Sequence, residues 1–384
     1  MISLRICTLR FHNAVIATAL SGIVFATPAL AQSYTAFDIG TLGGPGTYAT
    51  AINATGQVTG NSDTAGFGPN HAFVTQANGR GMTDLGTLPG GFKSLGFDIN
   101  ASGQVTGESE YVRYPDVPGA SSFPHAFIAD SKGGMRFVTN ELFSHGSAIN
   151  DAGQIAGYIS SSDNGGVFVT GPNGENVRRI GNLYSYHDRA TDINSSGQVV
   201  GSARMSSDLY EHAFFANSAL TFASDLGTLG GYRSYANGVN DSGQVVGYSE
   251  ITQSLQSPYH AFITDVNSNM TDLGTLGGQR SLATDINSDG IVVGWSETGT
   301  ANRKHAFITG PDGSGMTDLN TLVKLEGGTF LHDATGINDR GQIIANGSDG
   351  RSYLLSPVPE PETLAMLLAG LGLIGFMARR KNQR

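Results

Sequence analysis

Residues 281–295 read Ser281-Leu282-Ala283-Thr284-Asp285-Ile286-Asn287-Ser288-Asp289-Gly290-Ile291-Val292-Val293-Gly294-Trp295. Two short runs with alternating apolar and β-branched residues flank Asn287-x-x-Gly290, which reads as strand, tight turn, strand. The Asn side chain can accept a backbone N–H of the turn, and Gly supplies the positive φ that the return needs. The same apolar-Asn-x-x-Gly signature stands at Asn53, Asn100, Asn150, Asn194, Asn240, Asn287 and Asn338, at intervals of 44 to 51 residues. Seven copies at so regular a spacing mark a repeat protein.

Outward from that hairpin, His305–Thr309 and Met316–Leu319 predict a third and a fourth strand. No stretch of the body carries apolar residues at helical spacing, so the chain is all-β. Four-stranded units of this length, seven in number, predict a β-propeller rather than a solenoid, which would want capping units. The seventh copy supplies three strands (Ala334–Ile337, Gln342–Ala345, Ser352–Leu355) and stops. The segment Tyr34–Leu42 is an orphan fourth strand that resembles Met270–Leu276, so the N-terminal strand is expected to complete the last blade and close the ring. The expected organisation is a signal peptide at 1–31, one seven-bladed propeller over 32–357 and a sorting segment at 358–384.

The repeat resembles the HAF family of extracellular repeats. Its His-Ala-Phe motif stands at His71, His125, His212, His260 and His305, with Asp-Leu-Gly-Thr-Leu companions beginning at Asp84, Asp225 and Asp272. The third and seventh copies depart, with Gly166-Val167-Phe168 and Ser352-Tyr353-Leu354. The resemblance implies secretion and repetition and brings no catalytic residue.

Both ends read as addresses. Arg5 and Arg10 precede an apolar run from Ala14 to Ala26, and Ala29-Leu30-Ala31 before Gln32 offers a small-x-small cleavage site, the pattern of an export signal for the Sec machinery. The only cysteine, Cys7, lies in that segment, which leaves the body without a thiol for a disulfide, a nucleophile or a metal. At the other end an apolar stretch, Leu364–Ala378, runs into Arg379, Arg380, Lys381 and Arg384. Basic residues at one end of a marginal span orient a short membrane anchor, with the body outside. The tail resembles the PEP-CTERM sorting signal of Gram-negative bacteria through Val358-Pro359-Glu360-Pro361, the apolar segment and the basic end. The resemblance implies an exosortase as partner, transient anchoring in the inner membrane and delivery to the cell surface or extracellular matrix.

The chain has 22 Lys+Arg and 32 Asp+Glu; six of the bases and two of the acids lie in the terminal segments, leaving a body of net charge −14. Such a body repels phosphate backbones, which argues against nucleic acid as a partner.

The five repeated histidines sit one per blade, so they lie along a circle rather than converge on a metal; each is expected to precede a third strand and hydrogen-bond a local turn. Asp285, Asn287 and Asp289 match the opening of a calcium loop, but Ser296 stands where the bidentate Glu would be, and the sister copies lack the third acid. A hairpin turn is the better reading of these residues. No nucleophile elbow or phosphate-cradling loop is present, so neither a catalytic residue nor a cofactor is expected. Loop variation points to one face. The segments between second and third strands differ in length, up to Glu108–Pro124 with Tyr111, Arg113, Tyr114 and Asp116. The fourth-to-first connections on the same face carry Tyr48, Phe92, Tyr184, Tyr186 and Tyr232. Variable loops over a rigid scaffold are where binding residues concentrate, and aromatics beside acids and amides suit sugars or a protein partner. The expected function is a non-catalytic binding or structural propeller associated with surface polysaccharide or a matrix protein. The alternative is a secreted hydrolase or lyase acting on polysaccharide, which converging carboxylates in the central channel would favour.

Overall fold

The computed structural model describes residues 33–358 except 67, 113–120, 133, 164, 184, 205–209, 255, 256, 266 and 300–302. Seven four-stranded antiparallel sheets follow one another, each pairing its strands in sequence order except the last. Blade 6 consists of Gly277–Ile286, Val292–Thr298, Lys304–Ile308 and Thr317–Asp318, close to the strands read from sequence. Blade 7 takes Leu331–Ile337, Ile343–Gly347 and Ser352–Pro357, and Tyr34–Asp38 pairs with the last of these as its fourth strand. The register runs from Tyr34 opposite Pro357 to Asp38 opposite Tyr353, so the ring closes as expected. The closing strand ends at Asp38 rather than Leu42. There the Asp38 carboxylate accepts the Gly40 N–H at 2.9 Å and turns the chain away.

The His-Ala-Phe triplet has a packing reason. Alternate residues of a strand point to opposite faces, so Ala and Phe of the third strand address the two neighbouring blades. Phe73, Phe127, Phe168, Phe214, Phe262 and Phe307 are fully buried. Phe307 packs against Ala261 and Ile263 of blade 5, and Phe127 against Ala72 and Val74 of blade 1. The small Ala on one face leaves room for the next blade's Phe, and each such ring contributes about 2–3 kcal/mol of burial.

Every first strand carries a β-bulge at the same place, three residues before the repeat Asn: Thr50, Phe97, Ser147, Thr191, Asn237, Thr284 and Thr335. Opposite it the second strand comes very close. A Cβ placed at Gly247 would stand 1.9 Å from the Tyr235 carbonyl oxygen, and one at Gly107 1.9 Å from that of Leu95. In blades 1 to 6 a glycine stands there for proximity rather than for φ; blade 7 has Ala345 instead, and its first strand carries a second register shift between Leu331 and Asp333.

Two expectations about loops are corrected. Most of Glu108–Pro124 is strand, because Val105–Val112 pairs with Ser122–Ala129 and only 113–121 connects them. Tyr48 lies within the first strand of blade 1, Gly43–Ile52, opposite Asn61, not in a connection. The export signal and the C-terminal tail from Pro359 lie outside the described residues; among the described residues no helix is long and apolar enough to cross a membrane.

Candidate functional site

In each blade the first and third strands begin, and the second and fourth end, on one face. Neighbouring blades touch each other there: Thr47 N–H of the first strand of blade 1 donates to Gly350 O in a connection of blade 7, and Tyr210 stacks on Tyr232 at 4.6 Å. The opposite face carries the Asn-x-x-Gly turns.

Those turns form a closed circuit. Each Asn carbonyl oxygen accepts N–H groups of its own turn, as Asn240 does from Ser242 at 3.1 Å and Gln244 at 3.0 Å. Each Asn also donates Nδ2 to the backbone carbonyl of the next blade's Asn, from Asn53 to Asn100 (3.0 Å) round to Asn338, whose Nδ2 reaches Asn53 at 3.0 Å. The intervening links run from Asn100, Asn150, Asn194, Asn240 and Asn287 at 3.0 to 3.4 Å. Seven buried amides thus tie seven blades.

Above them lies an axial cavity of about 280 Å³, lined from all seven blades. Three carboxylates face it, Asp98, Asp192 and Asp285, one from every second blade. Each accepts the N–H of its own next residue and one from the following blade: Ile149, Val239 and Ile337 at 2.7 to 2.8 Å. The following blade answers with Asp151, Asp241 and Asp339, which accept from Ala101, Ser195 and Ser288 at 2.8 to 2.9 Å. Reciprocal aspartates therefore staple blade boundaries 2/3, 4/5 and 6/7. Burial pushes Asp98 up to about 6 and Asp285 to about 7. Asp192 is held well above the ordinary carboxylate range by burial and then by the other two charges. The channel is thus neither purely apolar nor glycine-lined, and its acids already bind backbone.

At the channel mouth two positions vary inside the constant repeat, five residues before and eight after the Asn. The first set includes Tyr48, His145, Arg189, Tyr235 and Asp333; the second includes Glu108, Tyr158, Tyr248 and Trp295. They meet across blades. The Tyr48 hydroxyl donates to Asp333 Oδ2 at 2.6 Å. The Tyr48 ring is open to the mouth (40% exposed), while its tucked-in hydroxyl is held far above its ordinary pKa by burial and by Asp333. Burial also raises Asp333, whose Oδ1 has no partner among the described residues. His145 Nδ1 pairs with Glu108 and its ring stacks on Tyr158 at 4.5 Å. Tyr235 donates to Glu211 at 2.8 Å and begins a row of rings through Tyr248 and Tyr259 to Trp295. Sequence reasoning named Tyr48, though in a connection, and missed the others because most of them sit inside strands; their variability within the repeat was the available signal.

Of the binding-loop residues expected from sequence, Tyr111 packs edge-on against His125 and Phe137 beside a cavity of about 250 Å³. Arg113, Tyr114 and Asp116, like Tyr184, lie outside the described residues. Tyr186 is exposed and lies over His187 at 4.0 Å; Tyr232 accepts at its carbonyl from His212. The repeat histidines are corrected in place and partner. They lie within the third strands, and His71, His212, His260 and His305 pair through Nδ1 with Asp84, Asp225, Asp272 and Asp318 of the fourth strand at 2.6 to 2.9 Å. The same aspartates accept the turn N–H two residues on. His125 faces Phe137 where the others face Asp, and bonds the Phe123 carbonyl instead. In the calcium-like segment, Asp285 holds two backbone N–H groups and Asn287 Oδ1 accepts from Asp289 and Ile291, as a hairpin turn requires. Among the described residues no three acids, histidines or cysteines gather to hold a metal.

Residues 357–381 match the PEP-CTERM protein-sorting motif, and residues 230–353 match a family described as a protein of unknown function (DUF3466). No curated protein matches the chain by sequence. Among solved structures, oligogalacturonate lyase from Vibrio parahaemolyticus superposes with a TM-score of 0.51 at 11% identity, over 85% of this chain and 94% of that one. The β-propeller domain of the Trilobed protease from Pyrococcus furiosus gives 0.47 at 13%, over 70% and 83%. TolB from Acinetobacter baumannii gives 0.43 at 13%, over 79% of this chain and 64% of that one, so the chain spans less than two thirds of that protein. These likenesses are of fold alone. The chain is a seven-bladed β-propeller, and its C-terminal motif is that of an exosortase-sorted, exported protein of Gram-negative bacteria.

Proposed function

We propose that the propeller is a non-catalytic binding module of the cell surface or extracellular matrix. It is exported by its N-terminal signal through the Sec machinery, held briefly at the inner membrane by its tail, and released by exosortase. Its ligand is a surface polysaccharide, taken on the face where the first strands begin. The observation that carries this reading is a set of exposed rings on that face in four successive blades: Tyr48 within the first strand of blade 1, and Phe92, Phe143 and Tyr186 shortly before the first strands of blades 2, 3 and 4. Aromatic faces held on a rigid frame suit the apolar faces of sugar rings. A glycan array with the secreted protein tests it. Binding is expected, weakened about tenfold by Tyr186→Ala with Phe92→Ala, the size of loss that central aromatic contacts usually give. Absence of any glycan partner would reject it. For the address, deletion of 359–384 is expected to leave the protein in the periplasm, read by cell fractionation.

One observation favours a second reading, a hydrolase or lyase acting on polysaccharide. The raised Asp333 carboxyl and the Tyr48 hydroxyl share a short hydrogen bond at the channel mouth, the kind of titratable pair that acid–base chemistry uses. Chain shortening of a bound polysaccharide that disappears in Asp333→Asn would establish it. A bound polysaccharide recovered intact would discard it.

A further inference from the structure

The binding face has an electrostatic arrangement that the net charge conceals. Four arginines on this face each lay a guanidinium over an aromatic ring across a blade boundary. Arg189 of blade 4 lies over Tyr158 of blade 3 at 4.6 Å, and Arg233 of blade 5 over Tyr210 of blade 4 at 4.9 Å. Arg280 of blade 6 lies over Tyr259 of blade 5 at 5.6 Å, and Arg303 over Phe330, just before blade 7, at 5.0 Å. Lys304 adds its ammonium over Trp295 at 3.7 Å. Four consecutive boundaries, 3/4 to 6/7, therefore each carry a fixed cation.

The acids on the same arc sit beneath. Glu250 and Glu297 are 16% and 12% exposed and accept the N–H groups of Tyr232 and Gln279, whereas Arg233 and Arg280 above them are 43% and 47% exposed. Their ion pairs are long, 3.4 and 4.0 Å, and leave most of each guanidinium's five donors free. A guanidinium whose face is covered by a ring presents its N–H edge outward, and that edge matches a carboxylate bidentately. The stacked ring also removes part of the rotamer freedom that an exposed arginine would otherwise lose on binding.

We propose that this arc recognises an anionic polysaccharide through carboxylates spaced along its chain, as in a polyuronate. The proposal rests on the binding reading above and specifies its ligand class. Spaced carboxylates with hydroxyls between them suit cations interleaved with recessed acids. A dense phosphate backbone would meet the −14 body at every other contact.

The test measures binding of the secreted protein to alginate, carboxyl-reduced alginate, dextran and double-stranded DNA at rising salt. Alginate is expected to bind, to weaken about tenfold between 50 and 300 mM NaCl, as screened contacts do, and to lose at least about tenfold in the triple variant R189Q/R233Q/R280Q. Lysine at the same three positions is expected to restore part of the loss, because it returns charge without the fork. Arg340→Gln, in the Asn-x-x-Gly turn of blade 7 on the far face, is expected to leave binding unchanged. Unchanged thermal melts keep the variants interpretable. Equal binding of reduced alginate, indifference to the triple variant, an equal loss in Arg340→Gln, or preference for DNA would each overturn the proposal. Dextran binding insensitive to salt would overturn it while leaving the glycan reading intact. Binding to none of the four probes would overturn both.

Discussion

Two residues of the repeat, both polar and both recurrent, carry unequal weight. The side chain of each turn Asn is buried and hydrogen-bonded both within its turn and to the next blade; that of Asn240, 5% exposed, makes four hydrogen bonds, one of them to Asn287 O. Removing such a side chain leaves buried N–H and C=O groups unpaired, so Asn240→Ala is expected to lower stability by about 2–4 kcal/mol. The third-strand His of blades 1, 4, 5 and 6 pairs with a fourth-strand Asp; Asp272, the partner of His260, is exposed, and exposed pairs contribute little. His260→Gln is expected to cost less than about 1 kcal/mol, and urea titration of both variants compares them. The channel aspartates add a pH dependence of definite sign. Their folded pKa values lie above the ordinary value near 4, so between about pH 4 and 7 the folded chain holds protons that the unfolded chain has released. Stability from these groups is full below that window and is lost as pH rises through it. The advantage of wild type over Asp285→Asn is therefore expected to shrink from pH 4.5 to pH 8; a widening gap would contradict the assignment.

Among the elements, the bulged first strand and the closing strand carry the architecture. The bulge turns Thr50, Thr191, Thr284 and Thr335 so that each hydroxyl reaches a carbonyl of the next blade, at 2.6 to 3.0 Å. The same bulge brings the facing second-strand Gly against a carbonyl. Gly247→Ala, whose Cβ has no room, is expected to cost at least about 2 kcal/mol, as overpacking does. Closure is testable directly, since Thr35 and Ser356 face each other in register. The pair Thr35→Cys with Ser356→Cys is expected to form a disulfide, seen by mass spectrometry, and to raise the melting temperature by several degrees through the long loop it closes. Free thiols in the folded protein would place the N-terminal strand elsewhere.

For the molecule as a whole, shape and surface divide the labour. The Asn ring and the Asp staples occupy the axis and the turn face, where the blades converge. The exposed rings and stacked cations occupy the other face, where connections vary. A negative body keeps the exported protein apart from other polyanions over most of its surface, and the guanidinium arc is the local exception. Salt is therefore expected to weaken ligand binding while leaving the melting temperature nearly constant, a contrast that calorimetry and binding at matched ionic strengths would show.

The amino-acid order carries the blade count, the strand order, the closure and the sorting tail, because each is written in local patterns: Asx-turn chemistry at a fixed period, alternation within strands, an orphan strand at one end and a three-part signal at the other. It also placed the variable loops on one face. Which side chains meet across blades is set by the folded ring. Asn53 and Asn338 are 285 residues apart, and Asp98, Asp192 and Asp285 belong to alternate repeats. The partners of the repeat histidines and the row from Tyr235 to Trp295 follow the same rule. Periodicity says where a residue lies within its own unit, whereas the bulge, the radial closeness of the first strands and the rotation between blades set its neighbours.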